Sequence, residues 1–175
     1  MATWIIDTNH SEVGFKVKHL VISTVSGKFT RFEGTVQADK ADFSDAKIEF
    51  TAEIDSISTG NEQRDEHLRS ADFFDAASSP QLHFVSTGLV PKGGSDYELK
   101  GNLTLRSTTH PVALAVGFGG IQNDFYGNTV AGFELTGKIN RKDFGLAWSA
   151  VTEAGGVVVS DEVKLVINVE LIKKA

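Results

Sequence analysis

The stretch Tyr97-Glu-Leu-Lys-Gly-Asn-Leu-Thr-Leu-Arg106 sets the pattern of the whole chain. Tyr97, Leu99, Gly101, Leu103 and Leu105 alternate with Glu98, Lys100, Asn102, Thr104 and Arg106. A period of two puts alternate side chains on opposite faces of a β-strand, one dry and one wet. The same alternation recurs on both sides of this stretch. Val13, Phe15 and Val17 follow it, as do Ile48, Phe50, Ala52 and Ile54. So do Ala131, Phe133, Leu135, Gly137 and Ile139, and Val163, Leu165, Ile167, Val169 and Leu171. Three further strands are less regular. Residues 27–37 lose step near Arg31 and Phe32, as a bulge does; residues 82–90 follow a polar segment; residues 111–119 are apolar on both faces. Turn chemistry fills the gaps at residues 38–44, 91–95 and 119–128 and at Gly155-Gly156. The prediction is all-β: about eight long antiparallel strands in one meander, which can close on themselves and remove their edges. A barrel of that size holds either packed side chains or one elongated small ligand.

The totals fit. A chain of 175 residues, 41% apolar and 23% charged, is ordinary for a globular protein, and one domain over residues 1–175 is expected. Seventeen glycines suit bent strands. Twelve phenylalanines against two tyrosines suit a wide dry interior, since Phe has no hydroxyl to satisfy. A net charge of −6 argues against broad binding to nucleic acid or anionic membrane, while leaving room for a local basic patch. With no cysteine there is no disulfide, thiolate nucleophile or sulfur-ligated metal. No apolar run nears the roughly 20 residues of a membrane helix, so no stable membrane insertion is expected. The opening MATWIIDTNHSEV is not a signal peptide. The chain as given is expected in the cytoplasm, or in the periplasm or outside the cell if a leader was removed.

One segment breaks the alternation: Asn61 to Pro80, NEQRDEHLRSADFFDAASSP. Residues 61–70 read as a short surface helix. Thr59-Gly-Asn-Glu62 matches a capping box at its start, and Asp65 and Arg69, four apart, are placed to pair. Arg64, Asp65, His67 and Arg69 crowd into six residues, with Phe73 and Phe74 behind them. Such a segment suits the mouth of a cavity, with charges for a polar head and aromatics for an apolar tail. The forked guanidinium groups of Arg64 and Arg69 suit a diphosphate, carboxylate or carbonyl, and His67 and His19 are further candidate donors. The plainer reading has Asp65, Asp72 and Asp75 holding these side chains to fix the helix. Candidates to line an apolar pocket are Phe15, Val17, Leu20, Phe29, Phe32, Phe50, Leu68, Phe73, Phe74, Phe84 and Trp148, although core packing is the default for such residues.

These residues carry a resemblance. Trp4-Ile-Ile-Asp7, His10-Ser11, Val17-Lys-His19-Leu20, Gly27-Lys-Phe29, Arg64-Asp-Glu-His67-Leu-Arg-Ser70, Asp72-Phe-Phe-Asp75, Asn140-Arg141 and Asp143-Phe-Gly-Leu146 are similar to the pattern of the YceI-like, lipocalin-like family. The match runs nearly end to end. One departure is Ser107, where family members often carry glycine. The resemblance implies an extended eight-stranded antiparallel barrel with a short helix near its open end, the barrel mouth. It implies a long pocket for a polyisoprenoid, isoprenoid quinone or similar long-chain amphiphile, and a possible homodimer.

The expected function is therefore non-enzymatic binding, storage or transport of a long-chain lipid, with no other cofactor. Histidines 10, 19, 67, 83 and 110 show no metal spacing, and no nucleophile elbow or phosphate-binding glycine loop is present. No catalytic residue and no metal ligand is assigned. Two rivals remain: a lipid-modifying enzyme using Arg64, Asp65 and His67, and a ligand-free dimerising module with a solid core.

Overall fold

A computed structural model describes residues 2–148 and 159–174. Eleven strand segments make one antiparallel sheet. They are β1 (Thr3–Ile6), β2 (Glu12–His19), β3 (Ser23–Phe29), β4 (Phe32–Gln37), β5 (Lys47–Glu53), β6 (Ile57–Ser58), β7 (Gln81–Gly93), β8 (Asp96–Leu105), β9 (Thr108–Asn123), β10 (Thr129–Asn140) and β11 (Val159–Lys173). Several are parts of one longer strand. β1 and β2 are separated by a tight turn at Thr8–His10, β5 and β6 by another at Ile54–Ser56, and β3 and β4 by Thr30 and Arg31. That last break is the predicted bulge. The result is a closed barrel of eight antiparallel strands, as the resemblance implied. Its seam is β11, whose first part pairs with β2 and whose end pairs with β1.

Register explains the packing. The inward residues of β8 (Tyr97, Leu99, Leu103 and Leu105) are all buried, and Phe50 lies opposite Phe84 across β5 and β7. Gly101 serves its neighbour: a Cβ there would lie 2.3 Å from the Phe84 ring, so only glycine lets that ring fold across.

Several expected boundaries move. β1 was not foreseen; it is only four residues long, with Trp4 buried between β4 and β11. β3 starts at Ser23 rather than at 27, and β7 runs to Gly93, shrinking the 91–95 turn. β9 continues to Asn123, so the 119–128 turn reduces to residues 124–128. The turn expected at Gly155-Gly156 lies outside the described residues.

The one α-helix among the described residues, α1, spans Glu62–Arg69. Its cap is Asn61, whose side chain accepts from the Arg64 N–H at 3.0 Å. The capping box predicted on Thr59 is therefore corrected. Thr59 instead gives its backbone N–H, at 2.9 Å, and its hydroxyl to the buried carboxylate of Asp65. With Asp65 so engaged, the expected Asp65–Arg69 pair does not form, and Arg69 meets Glu62 at 2.9 Å. The helix lies across one end of the barrel.

The opposite end is stoppered by the loop between β4 and β5. Phe43, 1% exposed, points from this loop into the barrel and packs against Trp4, Phe133 and Phe118 at centroid distances of 5.0, 5.1 and 5.5 Å. Its φ of 60° is left-handed, a costly conformation for a bulky residue that burial of the ring offsets.

Candidate ligand-binding cavity

Between stopper and helix the barrel is not filled. A cavity of about 250 Å³ runs through it, close to the lower end of ligand-pocket volumes of roughly 300–1,000 Å³. At the stoppered end its wall is Val36, Phe43, Ala46, Phe133 and Leu171. The middle is Phe50, Phe84, Leu99, Leu114, Leu135 and Ile167. Near the helix it is Leu68, Phe73, Phe74, Leu105, Leu146 and Val159. Alternation supplies this wall directly, since each strand turns its dry face inward. Glu49, Thr35 and Arg141 are the polar or charged residues that also border it.

Of the pocket residues predicted, Phe15, Val17, Phe29, Phe50, Leu68, Phe73, Phe74 and Phe84 border the cavity. Three others stand elsewhere. Leu20 is at the tip of the β2–β3 hairpin, 38% exposed. Phe32 is half-buried against Phe50 at 6.0 Å, and Trp148 packs behind Phe73 at 5.3 Å.

The four head-group candidates stand outside the wall. Arg64 donates from Nε to the Thr59 hydroxyl and from its terminal nitrogen to the Thr59 carbonyl, both at 2.7 Å. Arg69 is held by Glu62, which is itself mostly in solvent. His67 meets Asp72 at 2.9 Å and turns its ring edge-on to Trp148 and Phe73. His19 ends β2, opposite Ser23 and Val159. Arg64 and His67 thus tie α1 to the segments on either side of it, and Arg69 pairs within the helix.

Arg141 was not among the site candidates, and it is the most deeply buried cation at the cavity. It is 4% exposed, beneath Phe73 at 6.0 Å from the ring centroid. It donates to the carbonyls of Ser160, Leu146 and Trp148 at 3.0, 2.6 and 2.7 Å, and more weakly to Val159. Burial holds its guanidinium below the usual arginine range, against the opposing pull of Asp161 at 3.7 Å. It joins β11 to the turn after β10, at the helix end of the cavity. Its sequence context, Asn-Arg-Lys-Asp, reads as a solvated turn, which hid it.

On the outer surface, Asp7, His10 and Glu170 bring three potential ligand atoms within 4.8 Å of one another. Asp7 already accepts from the Asn9 N–H at 3.0 Å and from His10 at 2.7 Å, so the group closes the Thr8–His10 turn. None of the three borders the cavity. Among the described residues, no helix is long and apolar enough to cross a membrane.

Comparison with known proteins agrees with this architecture. The YceI-like domain pattern matches residues 4–171. The chain belongs to the YceI-like family. Protein YceI of Salmonella newport is 40% identical over 161 residues, covering 92% of this chain and 81% of the Salmonella protein. The YCEI protein of Campylobacter jejuni superposes with a TM-score of 0.77 at 34% identity, over 97% of this chain and 96% of its own. BcnA of Burkholderia cenocepacia gives 0.81 at 25% identity, over 94% and 98%. A polyisoprenoid-binding domain from Saccharophagus degradans shares the fold, with a TM-score of 0.70 at 14% identity over 98% of both chains.

Proposed function

We propose that this YceI-like barrel binds and carries a long-chain amphiphilic lipid of the polyisoprenoid, isoprenoid quinone or fatty-amide type, and does not transform it. The observation that carries this reading is the cavity itself. It is walled by apolar side chains from the Phe43 stopper to the Phe73–Phe74 turn, a shape for a tail rather than a compact substrate. Each CH₂ moved from water into such a wall is worth about 0.8 kcal/mol, so affinity grows with tail length. The helix end suits the head group, because Arg64, Arg69 and His67 stand just outside the wall there. Glu62, mostly in solvent, is the partner a head group would displace from Arg69. The structural likeness to the Saccharophagus polyisoprenoid-binding domain is consistent with this use of the barrel.

The test is organic extraction of protein purified without detergent, with mass spectrometry beside intact native mass spectrometry. One long-chain species per chain is the expected result. A clean apoprotein that also refuses polyprenyl, quinone and fatty-amide ligands would overturn the proposal.

A further inference from the structure

The tip of the β2–β3 hairpin is built in a way that folding alone does not explain. Leu20, Val21 and Ile22 form it, and they are 38%, 69% and 85% exposed. The turn is tight, closed by the Ile22 N–H donating to the His19 carbonyl at 3.2 Å. Leu20 and Val21 take φ of 54° and 64°, the left-handed region that Asn and Gly occupy in tight hairpins with little strain. The chain thus places large apolar residues in water, in a conformation that penalises a β-branched side chain. One edge of the hairpin is also open among the described residues. Beyond Lys28, toward the tip, β3 pairs with β2 alone among the described residues, because β6 meets only Lys28 and Phe29. The base of the tip joins the cavity, since His19 lies opposite Val159, which borders it.

Charge says what the tip faces. In a chain of net charge −6, the segment from Val13 to Arg31 holds Lys16, Lys18, Lys28 and Arg31 and no Asp or Glu. All four are exposed. Lys164 of β11, also exposed, lies opposite Lys16 and extends the basic face. The nearby acids of β11 have their own cations: Asp161 meets Lys142 at 3.3 Å and Glu162 meets Lys138 at 3.8 Å. On α1, Glu62 is matched by Arg69.

We propose that this hairpin docks the protein on a lipid bilayer carrying anionic headgroups, with Leu20, Val21 and Ile22 entering the interface and the lysines facing the phosphates. Apolar insertion and basic attraction are the two components of reversible surface binding. Docking would bring the cavity end bordered by Val159 against the membrane. The inference rests on the carrier reading for its purpose, but its evidence is the hairpin's own residues.

The exposed position of the tip makes substitution there safe for folding. Purified protein is sedimented with vesicles of phosphatidylcholine alone and of phosphatidylcholine with phosphatidylglycerol. Binding is expected to the mixed vesicles and to weaken with salt. Val21→Asp with Ile22→Asp should abolish it, and Lys18→Gln, next to the tip, should weaken it roughly fivefold. Phe125→Ser with Tyr126→Ser, at the exposed turn between β9 and β10, should leave it unchanged. No binding by the parent protein, or equal losses at both turns, would overturn the proposal. Self-association lost in the Asp variant, without vesicle binding, would assign the tip to a second copy and also overturn it. Lipid extraction of the same samples separates the two ideas. Loaded protein that ignores vesicles defeats docking alone, and empty protein that refuses added lipids yet binds vesicles through the tip supports docking while defeating carriage.

Discussion

Replacing Phe43 by alanine removes the stopper and should change both stability and ligand choice. The ring is 1% exposed and touches three other aromatics, so its loss falls in the usual core range of about 3–5 kcal/mol. Urea unfolding of lipid-stripped protein should show that loss as a lower midpoint with an unchanged slope. Glycine at the same position sharpens the test. The left-handed φ of 60° costs a side-chain-bearing residue about 1–2 kcal/mol, more than the roughly 0.5–1 kcal/mol of added chain entropy that glycine brings. Phe43→Gly should therefore be no less stable than Phe43→Ala. The ligand arm uses a homologous series of lipids. In the parent protein affinity should stop rising once the tail reaches Phe43. In either variant it should keep rising, about fourfold for each further CH₂ at ~0.8 kcal/mol. A loss below about 1 kcal/mol, or the same length ceiling in all three proteins, would refute the stopper.

Three further outcomes are expected. Asp65→Ala leaves the Thr59 N–H and hydroxyl without their buried acceptor and should cost about 1–3 kcal/mol, with faster amide exchange through α1 than elsewhere. Arg141→Met strips the donor from the carbonyls of Leu146, Trp148 and Ser160 and should cost about 3 kcal/mol or more, and a stability equal to the parent's in urea would contradict that role. His10 is raised from its ordinary value, chiefly by its hydrogen bond to Asp7 and then by the charges of Asp7 and Glu170. Its contribution to stability is thus complete below the unfolded value of 6.5 and disappears as pH rises through the folded one. An NMR titration of the His10 ring should place its midpoint above 6.5, and Asp7→Asn should bring it down.

Five of the strands were legible because each has one wet face, and the less regular ones were placed by the turn residues between them. Where that contrast is lacking, as in Trp4-Ile-Ile, a short strand left no period to detect. The helix was legible from its charge density, but its details were not. Thr59 and Asn61 both suit a cap, and only the burial of Asp65 decides which of them is used. Burial also diverts Arg69 to Glu62, a choice that spacing along a helix does not determine. Apolar wall and apolar core look alike in sequence, so Phe15, Phe50 and Phe84 could be nominated as inward without showing whether space lies beside them. Phe43 sits among Ala, Asp and Ser, where a lone aromatic reads as part of a turn. Its partners Trp4, Phe118 and Phe133 come from three distant strands. Arg141 was obscured by the same effect, since its acceptors are backbone carbonyls that carry no side-chain signature.

The seam has a further consequence, for the order in which the molecule is made. β11 pairs with both β1 and β2, and the Glu170 N–H donates to the Ser11 hydroxyl across 159 positions of sequence. Contacts so distant form slowly, because much chain entropy is lost before they are gained. At about 5–20 residues per second of synthesis, the earlier strands emerge many seconds before β11 does. During that interval β10 and the β1–β2 strand present raw hydrogen-bonding edges beside half-built apolar faces. The newborn chain is thus most prone to pair with a neighbour shortly before its last strand arrives, and closing the ring ends that exposure.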